Sequence, residues 1–223
     1  MIEVENLNKR YGKKVIFNQL NTTFKANAVT ILLGENGAGK STLLRMIAKL
    51  ERQDGGAIRY FGESLSSKAL KERLGYIPQD IALFEHMSVS ENIDFFRGLY
   101  KNPIDTERIN SYKKSLNLFE DKARVASLSG GTKRKVNMLI GLLGNPEIII
   151  LDEPTVGIDL KSRYDIHRLI NELKQNKLII LTTHHLDEVE AIGDTIKLIG
   201  KDPFYKEVLI EKGWPFEDIL QRN

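Results

Sequence analysis

The sequence predicts an α/β protein with a mainly parallel core sheet, an N-terminal antiparallel β-subdomain and an inserted helical subdomain. Short apolar runs of strand length alternate with segments of helical periodicity, as at residues 29–33 and 43–48. Residues 1–27 alternate apolar and polar positions, which is typical of antiparallel strands with one buried face. Residues 88–144 show helical periodicity, so helices interrupt the succession of strands.

Length and composition fit a globular domain with a subdomain. The chain has 223 residues, of which 41% are hydrophobic and 28% charged, and its net charge of +3 is too small to indicate a nucleic-acid partner. The absence of cysteine excludes disulfides and thiolate metal sites. Because the sequence shows neither a signal peptide nor an apolar stretch of about 20 residues, we expect a cytosolic protein that does not itself cross a membrane.

One domain is expected over residues 1–223. Its β-subdomain and α/β core are predicted at 1–80 and 145–199, its helical subdomain at 81–144, and a short, weakly helical tail at 200–223. In the first strands, the positions predicted to share the buried face are Ile2, Val4, Val15, Phe17 and Leu20.

The stretch 34–42 matches the phosphate-loop pattern G-x-x-x-x-G-K-[ST]. An apolar strand pattern precedes it and helical spacing follows it, which is the context that a P-loop NTPase fold requires. Glycines let backbone N–H groups surround a phosphate, Lys40 adds a charge, and the Ser41 hydroxyl suits Mg²⁺. The alternative is a glycine-rich turn that binds nothing. The residues predicted to contact the nucleotide here are Gly34, Asn36, Gly37, Ala38, Gly39, Lys40, Ser41 and Thr42.

Two further positions leave alternatives open. Tyr11 lies in a predicted turn, where an aromatic ring can stack on a base or simply pack on the surface. Gln79 begins a loop after a short strand that Pro78 stops. The apolar residues 81–84 of that loop either pack inward or form a partner surface.

A helix is predicted to begin in the stretch 128–132, with Ser129 as its N-cap. Gly130 and Gly131 would present bare N–H groups and the positive end of the helix dipole to an anion. Taken alone, the stretch is more simply interpreted as a helix cap.

Polar side chains follow two apolar strands. Asp152 and Glu153 follow residues 147–151, and the C-terminal ends of parallel strands form the ligand-binding edge of an α/β sheet. We expect Asp152 to hold Mg²⁺ through water and Glu153 to orient or deprotonate water; the alternative is an acidic loop start. His184 follows a strand at 178–181 and either bonds a γ-phosphate or is structural.

Together these motifs resemble the ATP-binding subunit of ABC transporters over about residues 1–199, with LSGGT at 128–132 ahead of ILDEP at 150–154 as the distinguishing element. The resemblance implies an ATPase with ATP and Mg²⁺ as cofactors, and Ser41, Gln79 and Asp152 as the metal-associated residues. By the family pattern, Tyr11 stacks on adenine and Gln79 lies near Mg²⁺ and water. Ser129, Gly130 and Gly131 contact ATP held by the opposite subunit. Glu153 is the catalytic carboxylate, Asp159 is the D-loop aspartate and His184 is the switch histidine.

The stretches LSGGTKRK (128–135), PTVGID (154–159) and ENIDFFRGLY (91–100) most resemble the branch that serves exporters of drugs, peptides or lipids. Thr132, in place of the glutamine commonest elsewhere, fits that branch, whereas residues 193–199 depart from the usual strand-turn-strand pattern. The implied partners are a transmembrane permease subunit and a second ATPase chain, identical or different. The permease would hold the chain on the inner face of the cell membrane, and no nucleic-acid partner is expected.

Two other functions compete with transport. A repair or chromosome-organising ATPase of the same superfamily would carry a long coiled-coil insertion, and no sustained heptad run is present. A module that senses nucleotide without turnover is disfavoured by the presence of Glu153 and His184.

Overall fold

A computed structural model describes residues 1–220. The chain forms two compact units, one made of Met1–Leu70 with the segment from Leu178 onward, the other of Lys71–Lys177. The strands are β1 (Ile2–Tyr11), β2 (Lys14–Phe24), β3 (Ala28–Leu33), β4 (Gly55–Tyr60), β5 (Leu74–Ile77), β6 (Ile148–Asp152), β7 (Leu178–Thr183), β8 (Thr195–Leu198) and β9 (Phe216–Asp218). The helices are α1 (Lys40–Ile47), α2 (Ser67–Lys71), α3 (Val89–Arg97), α4 (Thr106–Ser115), α5 (Gly130–Leu142), α6 (Leu160–Leu173), α7 (Leu186–Ile192) and α8 (Pro203–Glu211), with a 3₁₀ turn at Val125–Ser127.

An antiparallel sheet in the order β2-β1-β4 opens the first unit. Ile2 pairs with Phe24 of β2 and Tyr60 of β4, and all three side chains are fully buried. Val15 was predicted to be buried with Phe17, and that prediction is wrong, since Val15 is 54% exposed. The reason is a shift in the β1–β2 register next to Val15, which breaks the two-residue alternation.

Parallel strands in the order β7-β3-β8-β9 complete the first unit. Ile31 of β3 pairs with Leu181 of β7 and Ile196 of β8, and every position of β7 is buried, as expected for parallel strands covered on both faces. Phe216 of β9 pairs with Ile196. The tail predicted to be only weakly helical therefore contains α8 and an edge strand, which is too short to show a periodicity.

The second unit combines the parallel pair β5–β6 with four helices, α3 to α6. A capping box begins α3, since Ser88 and Glu91 exchange both of its hydrogen bonds. A Cβ on Gly75 of β5 would lie 2.3 Å from the carbonyl oxygen of Gly141, so glycine lets α5 approach β5 closely. The parallel strands, the N-terminal antiparallel sheet and the helices between β5 and β6 confirm the predicted fold class. Among residues 1–220, no helix has the length and apolar character to span a bilayer.

Candidate nucleotide-binding site

The predicted phosphate loop connects β3 to α1, which begins at Lys40. Gly39 precedes α1 with φ 107°, and a Cβ there would lie 2.9 Å from the Phe17 ring of β2. At the other end of the loop, a Cβ on Gly34 would lie 1.8 Å from the carbonyl oxygen of Ile199. Glycine is therefore required at both ends of the loop. Close packing requires it at Gly34 and Gly39, and the backbone conformation also requires it at Gly39.

The side chain of Lys40 folds back onto this loop. Its Nζ donates to the carbonyl oxygens of Gly34, at 2.7 Å, and Glu35, at 3.0 Å, and the residue is buried. Within the described structure, no side chain caps α1 at Gly39. The loop thus combines a buried lysine with the N-terminus of a helix, an arrangement that suits a phosphate group.

His184 lies at the same strand edge as the phosphate loop. Leu33 of β3 and Thr183 of β7 are register partners, and Gly34 and His184 are the residues that follow them. The first unit therefore brings the histidine and the loop to the ends of neighbouring parallel strands, where ligands bind in open α/β sheets.

In the second unit, Gln79 and Asp152 share a strand edge. Ile77 of β5 pairs with Leu151 of β6, so Asp152 ends β6 close to the point where the Gln79 loop begins. The hydroxyl of Tyr76 lies 3.3 Å from Oδ2 of Asp152. Nothing in the sequence singles out this tyrosine, because its position inside a short strand carries no functional signal.

Glu153 follows Asp152 with φ 47°, in the left-handed region. For a residue other than glycine, this backbone conformation costs roughly 1–2 kcal/mol. Its side chain is nonetheless buried, as is that of Asp152. The chain therefore turns sharply at the end of β6 and keeps both carboxylates buried there, and strained backbone of this kind clusters at functional sites.

Ser129 caps α5, as predicted. Its Oγ accepts a hydrogen bond from the backbone N–H of Thr132 at 3.1 Å. A Cβ on Gly131 would lie 2.2 Å from Oγ of Ser162 and 2.7 Å from Oδ2 of Asp159. Asp159 in turn caps α6 by accepting from the N–H and hydroxyl of Ser162, and these bonds lower its pKa. The second unit therefore brings Asp159 against Gly131 of α5, a contact that spacing could not reveal.

Both units contain oxygen donors that suit Mg²⁺. Ser41, Gln79 and Asp152 offer a hydroxyl, an amide carbonyl and a carboxylate, and Mg²⁺ takes oxygen ligands. Residues 1–220 contain no group of three or more His, Asp or Glu side chains that could hold a metal ion. An ion that arrives with ATP needs only one or two protein ligands beside the phosphates, so such a group is not required.

The strand–loop–helix with its buried lysine defines a P-loop nucleotide-binding protein. The ABC transporter family matches residues 17–156. The chain is 36% identical over 207 residues to the linearmycin resistance ATP-binding protein LnrL of Bacillus subtilis, which covers 90% of this chain and 67% of LnrL. It is 33% identical over 228 residues to the glucosylceramide transporter ABCA12 of Homo sapiens, which covers 96% of this chain but only 9% of ABCA12. The chain therefore belongs to the ABC transporter family and is an ATP-binding ATPase of that family.

Solved structures show the same fold. CbiO1 from Clostridium perfringens, part of the ABC transporter complex cbiONQ, aligns with a TM-score of 0.80 at 27% identity, over 95% of this chain and 93% of that one. The ATP-binding cassette MJ0796, in a dimer bound to ADP and Pi, aligns with a TM-score of 0.77 at 23% identity, over 90% of this chain and 94% of that one. The predicted P-loop NTPase fold is confirmed.

Proposed function

We propose that this chain is the ATP-binding and ATP-hydrolysing subunit that energises an ABC-type membrane exporter through ATP-driven dimerisation. The observation that carries the proposal is that one chain contains two glycine-containing helix starts of the kind that hold anions, the phosphate loop before α1 and the LSGGT stretch before α5. Two such starts are explained if the phosphate loop binds ATP in its own chain and the LSGGT stretch contacts ATP bound by a second chain. The second chain is either a copy of this one or a related ATPase.

The residue roles follow the family motif. The loop backbone and Lys40 bind the phosphates, Glu153 orients or deprotonates the attacking water, and Gln79 and His184 position water and the γ-phosphate. Mg²⁺, held by Ser41, Asp152 and Gln79, would neutralise charge on the β- and γ-phosphates. Ser129, Gly130 and Gly131, with Asp159 behind them, contact the ATP of the facing chain.

Export is supported by the names of two relatives. LnrL is a resistance protein, and the Nod factor export ATP-binding protein I of Burkholderia lata is 36% identical over 206 residues. A sulfate/thiosulfate import protein of Shewanella oneidensis is 33% identical over 212 residues, so direction needs a direct test. The repair-type alternative lacks support, since the longest described helix, α6, has 14 residues and no coiled-coil arm is present in residues 1–220.

A half-exposed aromatic cluster of the second unit is our candidate for the permease contact. The ring of Phe84 lies 4.9 Å from that of Phe95 and 5.8 Å from that of Phe96. Phe84 is 38% and Phe95 45% exposed, and Ile81 and Leu83 precede them in the Gln79 loop. We propose that the apolar face of a cytoplasmic permease helix packs here, which would hold the chain at the inner face of the membrane.

The test is purification of the tagged chain from its native membrane in mild detergent, followed by identification of the bound membrane protein. Leu83→Ser with Phe84→Ser should lose that protein while still binding ATP. Phe119→Ser, which removes a 72% exposed aromatic of the same unit, should retain it. With the complex in inverted vesicles, ATP-dependent accumulation of substrate supports export. Recovery of no permease from wild type contradicts the transport function, and ATP-dependent release contradicts the direction.

A further inference from the structure

An ionic cluster surrounds the hydroxyl of Tyr11 in the first unit. The Glu51 cluster consists of Lys9 and Tyr11 on β1, Arg45 on α1, and Glu51 just beyond α1. The carboxylate of Glu51 accepts from the Tyr11 hydroxyl, from Nζ of Lys9 at 2.9 Å and from Nε of Arg45 at 3.0 Å. Lys9 also donates to the backbone carbonyl of Arg52 at 2.8 Å.

The charges of the cluster are fixed over the physiological pH range. Burial disfavours the charge of Glu51, yet the hydrogen bonds from Tyr11, Lys9 and Arg45 outweigh it and lower the pKa of Glu51 to about 2. The bond to Glu51 raises the pKa of Lys9. A carboxylate between two cations thus holds the Tyr11 hydroxyl with a charge-assisted bond, which is stronger than a neutral one.

The same cluster determines which side of the Tyr11 ring is available. Nζ of Lys9 lies 5.0 Å from the ring centroid, over one face, while the residue as a whole stays 45% exposed. Because Lys9 lies over one face, the opposite face is the one that we expect a flat ligand to use. Aromatic rings accept nucleobases by stacking.

One helix connects this ring to the phosphate loop. Helix α1 begins at Lys40 beside the loop, and its other end carries Arg45 and leads directly to Glu51. The hairpin that bears Tyr11 is also packed on the loop, since a Cβ on Gly39 would touch Phe17 of β2. The ring and the phosphate-binding groups are therefore held by the same rigid element.

We propose that Glu51 is a positioning residue for nucleobase stacking: by fixing Tyr11 to the end of α1, it sets the distance between the base and the phosphates. This inference rests on the proposed stacking role of Tyr11. Loss of the bond should weaken the base-dependent part of ATP affinity and leave phosphate binding intact.

The experiment compares the dissociation constants of ATP and of inorganic tripolyphosphate, both with Mg²⁺, by calorimetry. Tyr11→Ala should raise the Kd of ATP about tenfold or more, as expected for a lost stacking contact. Glu51→Ala and Tyr11→Phe should each raise it about three- to tenfold, with the Kd of tripolyphosphate unchanged. Glu5→Ala is the control, because Glu5 lies on β1 like Tyr11 and is a half-exposed partner of Arg59. This variant should change neither constant.

A double-mutant cycle separates positioning from general support. Glu51→Ala in the Tyr11→Phe background should add little further loss of ATP affinity, because the bond is already gone. An equal rise of both constants in Glu51→Ala and Tyr11→Phe overturns the inference, because that pattern marks damage to the phosphate loop. If Tyr11→Ala weakens ATP but Tyr11→Phe does not, stacking stands and positioning is overturned. An unchanged Kd of ATP in Tyr11→Ala overturns the stacking role itself.

Discussion

The two helix starts that belong to the nucleotide-binding motifs differ in whether the N-cap residue supplies a side-chain cap. Gly39 before α1 offers no side-chain cap, and Lys40 donates to two loop carbonyls. Before α5, Ser129 already accepts from Thr132, and Lys133 is paired with Glu85 at 2.9 Å. The first start therefore presents both the helix dipole and a buried lysine to a phosphate. The second presents the helix dipole, but its cap and its nearby lysine already have hydrogen-bond partners within the chain.

This difference assigns the two starts different tasks. A phosphate at α1 gains a charge-assisted environment at once, so this start can bind ATP in a single chain. At α5 the cap already uses the N–H of Thr132, so a phosphate finds one donor fewer there; in the proposed dimer the facing chain presents the nucleotide to this start. Four variants test this comparison.

The largest effect is expected from Glu153→Gln. An amide is nearly the same size as the carboxylate but a far weaker base, so hydrolysis should fall about 10²- to 10⁴-fold. Phosphate binding should persist, and an ATP-bound dimer should accumulate, because the contact of α5 with the facing ATP is no longer broken by hydrolysis. Light scattering after size exclusion, with and without ATP, measures the dimer, and phosphate release measures the rate.

The matched control is Glu147→Gln, which makes the same change just before β6 in a partly exposed pair with Arg73. It should hydrolyse ATP at the wild-type rate. A Glu153→Gln variant with wild-type turnover would refute the catalytic role of Glu153. If turnover is lost but only monomer forms, the role stands and the second ATPase must be a different chain.

The next effect is expected from Lys40→Ala. Removing a buried charge that faces phosphate should weaken ATP–Mg²⁺ binding by roughly 2–4 kcal/mol. Isothermal titration gives the constant, and Lys25→Ala, which removes an exposed lysine of the same unit, should leave it unchanged. Equal affinities in the two variants would mean that α1 does not bind the phosphates.

Local motifs could be predicted, and long-range contacts could not. The phosphate loop and the position of Asp152 follow from apolar runs that end in polar residues, because strand ends and helix starts are local features. The contact of Gly131 with Asp159 and the bond of Tyr11 to Glu51 join residues far apart in the chain. No spacing rule reveals such pairs, since each residue alone looks like an ordinary cap or surface group.

The third variant, Gly131→Ala, tests how closely α5 is packed. The new Cβ would lie 2.2 Å from Oγ of Ser162, which is bonded to Asp159, so overpacking should lower the free energy of unfolding by about 1–3 kcal/mol. At Gly130 an added Cβ meets no described atom within 4 Å, so Gly130→Ala should have no such cost. Urea unfolding of both variants measures the difference, and equal stabilities would show that Asp159 does not pack on Gly131.

The smallest effect is expected from Ser129→Ala, and it tests the comparison most directly. Loss of the N-cap should lower the free energy of unfolding by about 1 kcal/mol. Asp105→Ala, which removes the N-cap of α4 in the same unit, should cost a similar amount. Only Ser129→Ala should also weaken ATP-dependent dimerisation, measured by sedimentation in the Glu153→Gln background, because its hydroxyl accepts from the Thr132 N–H and its proton can be donated to the facing phosphate. Equal dimerisation in the two cap variants would mean that Ser129 is solely a cap and that the ligand contact at α5 comes from backbone N–H groups alone.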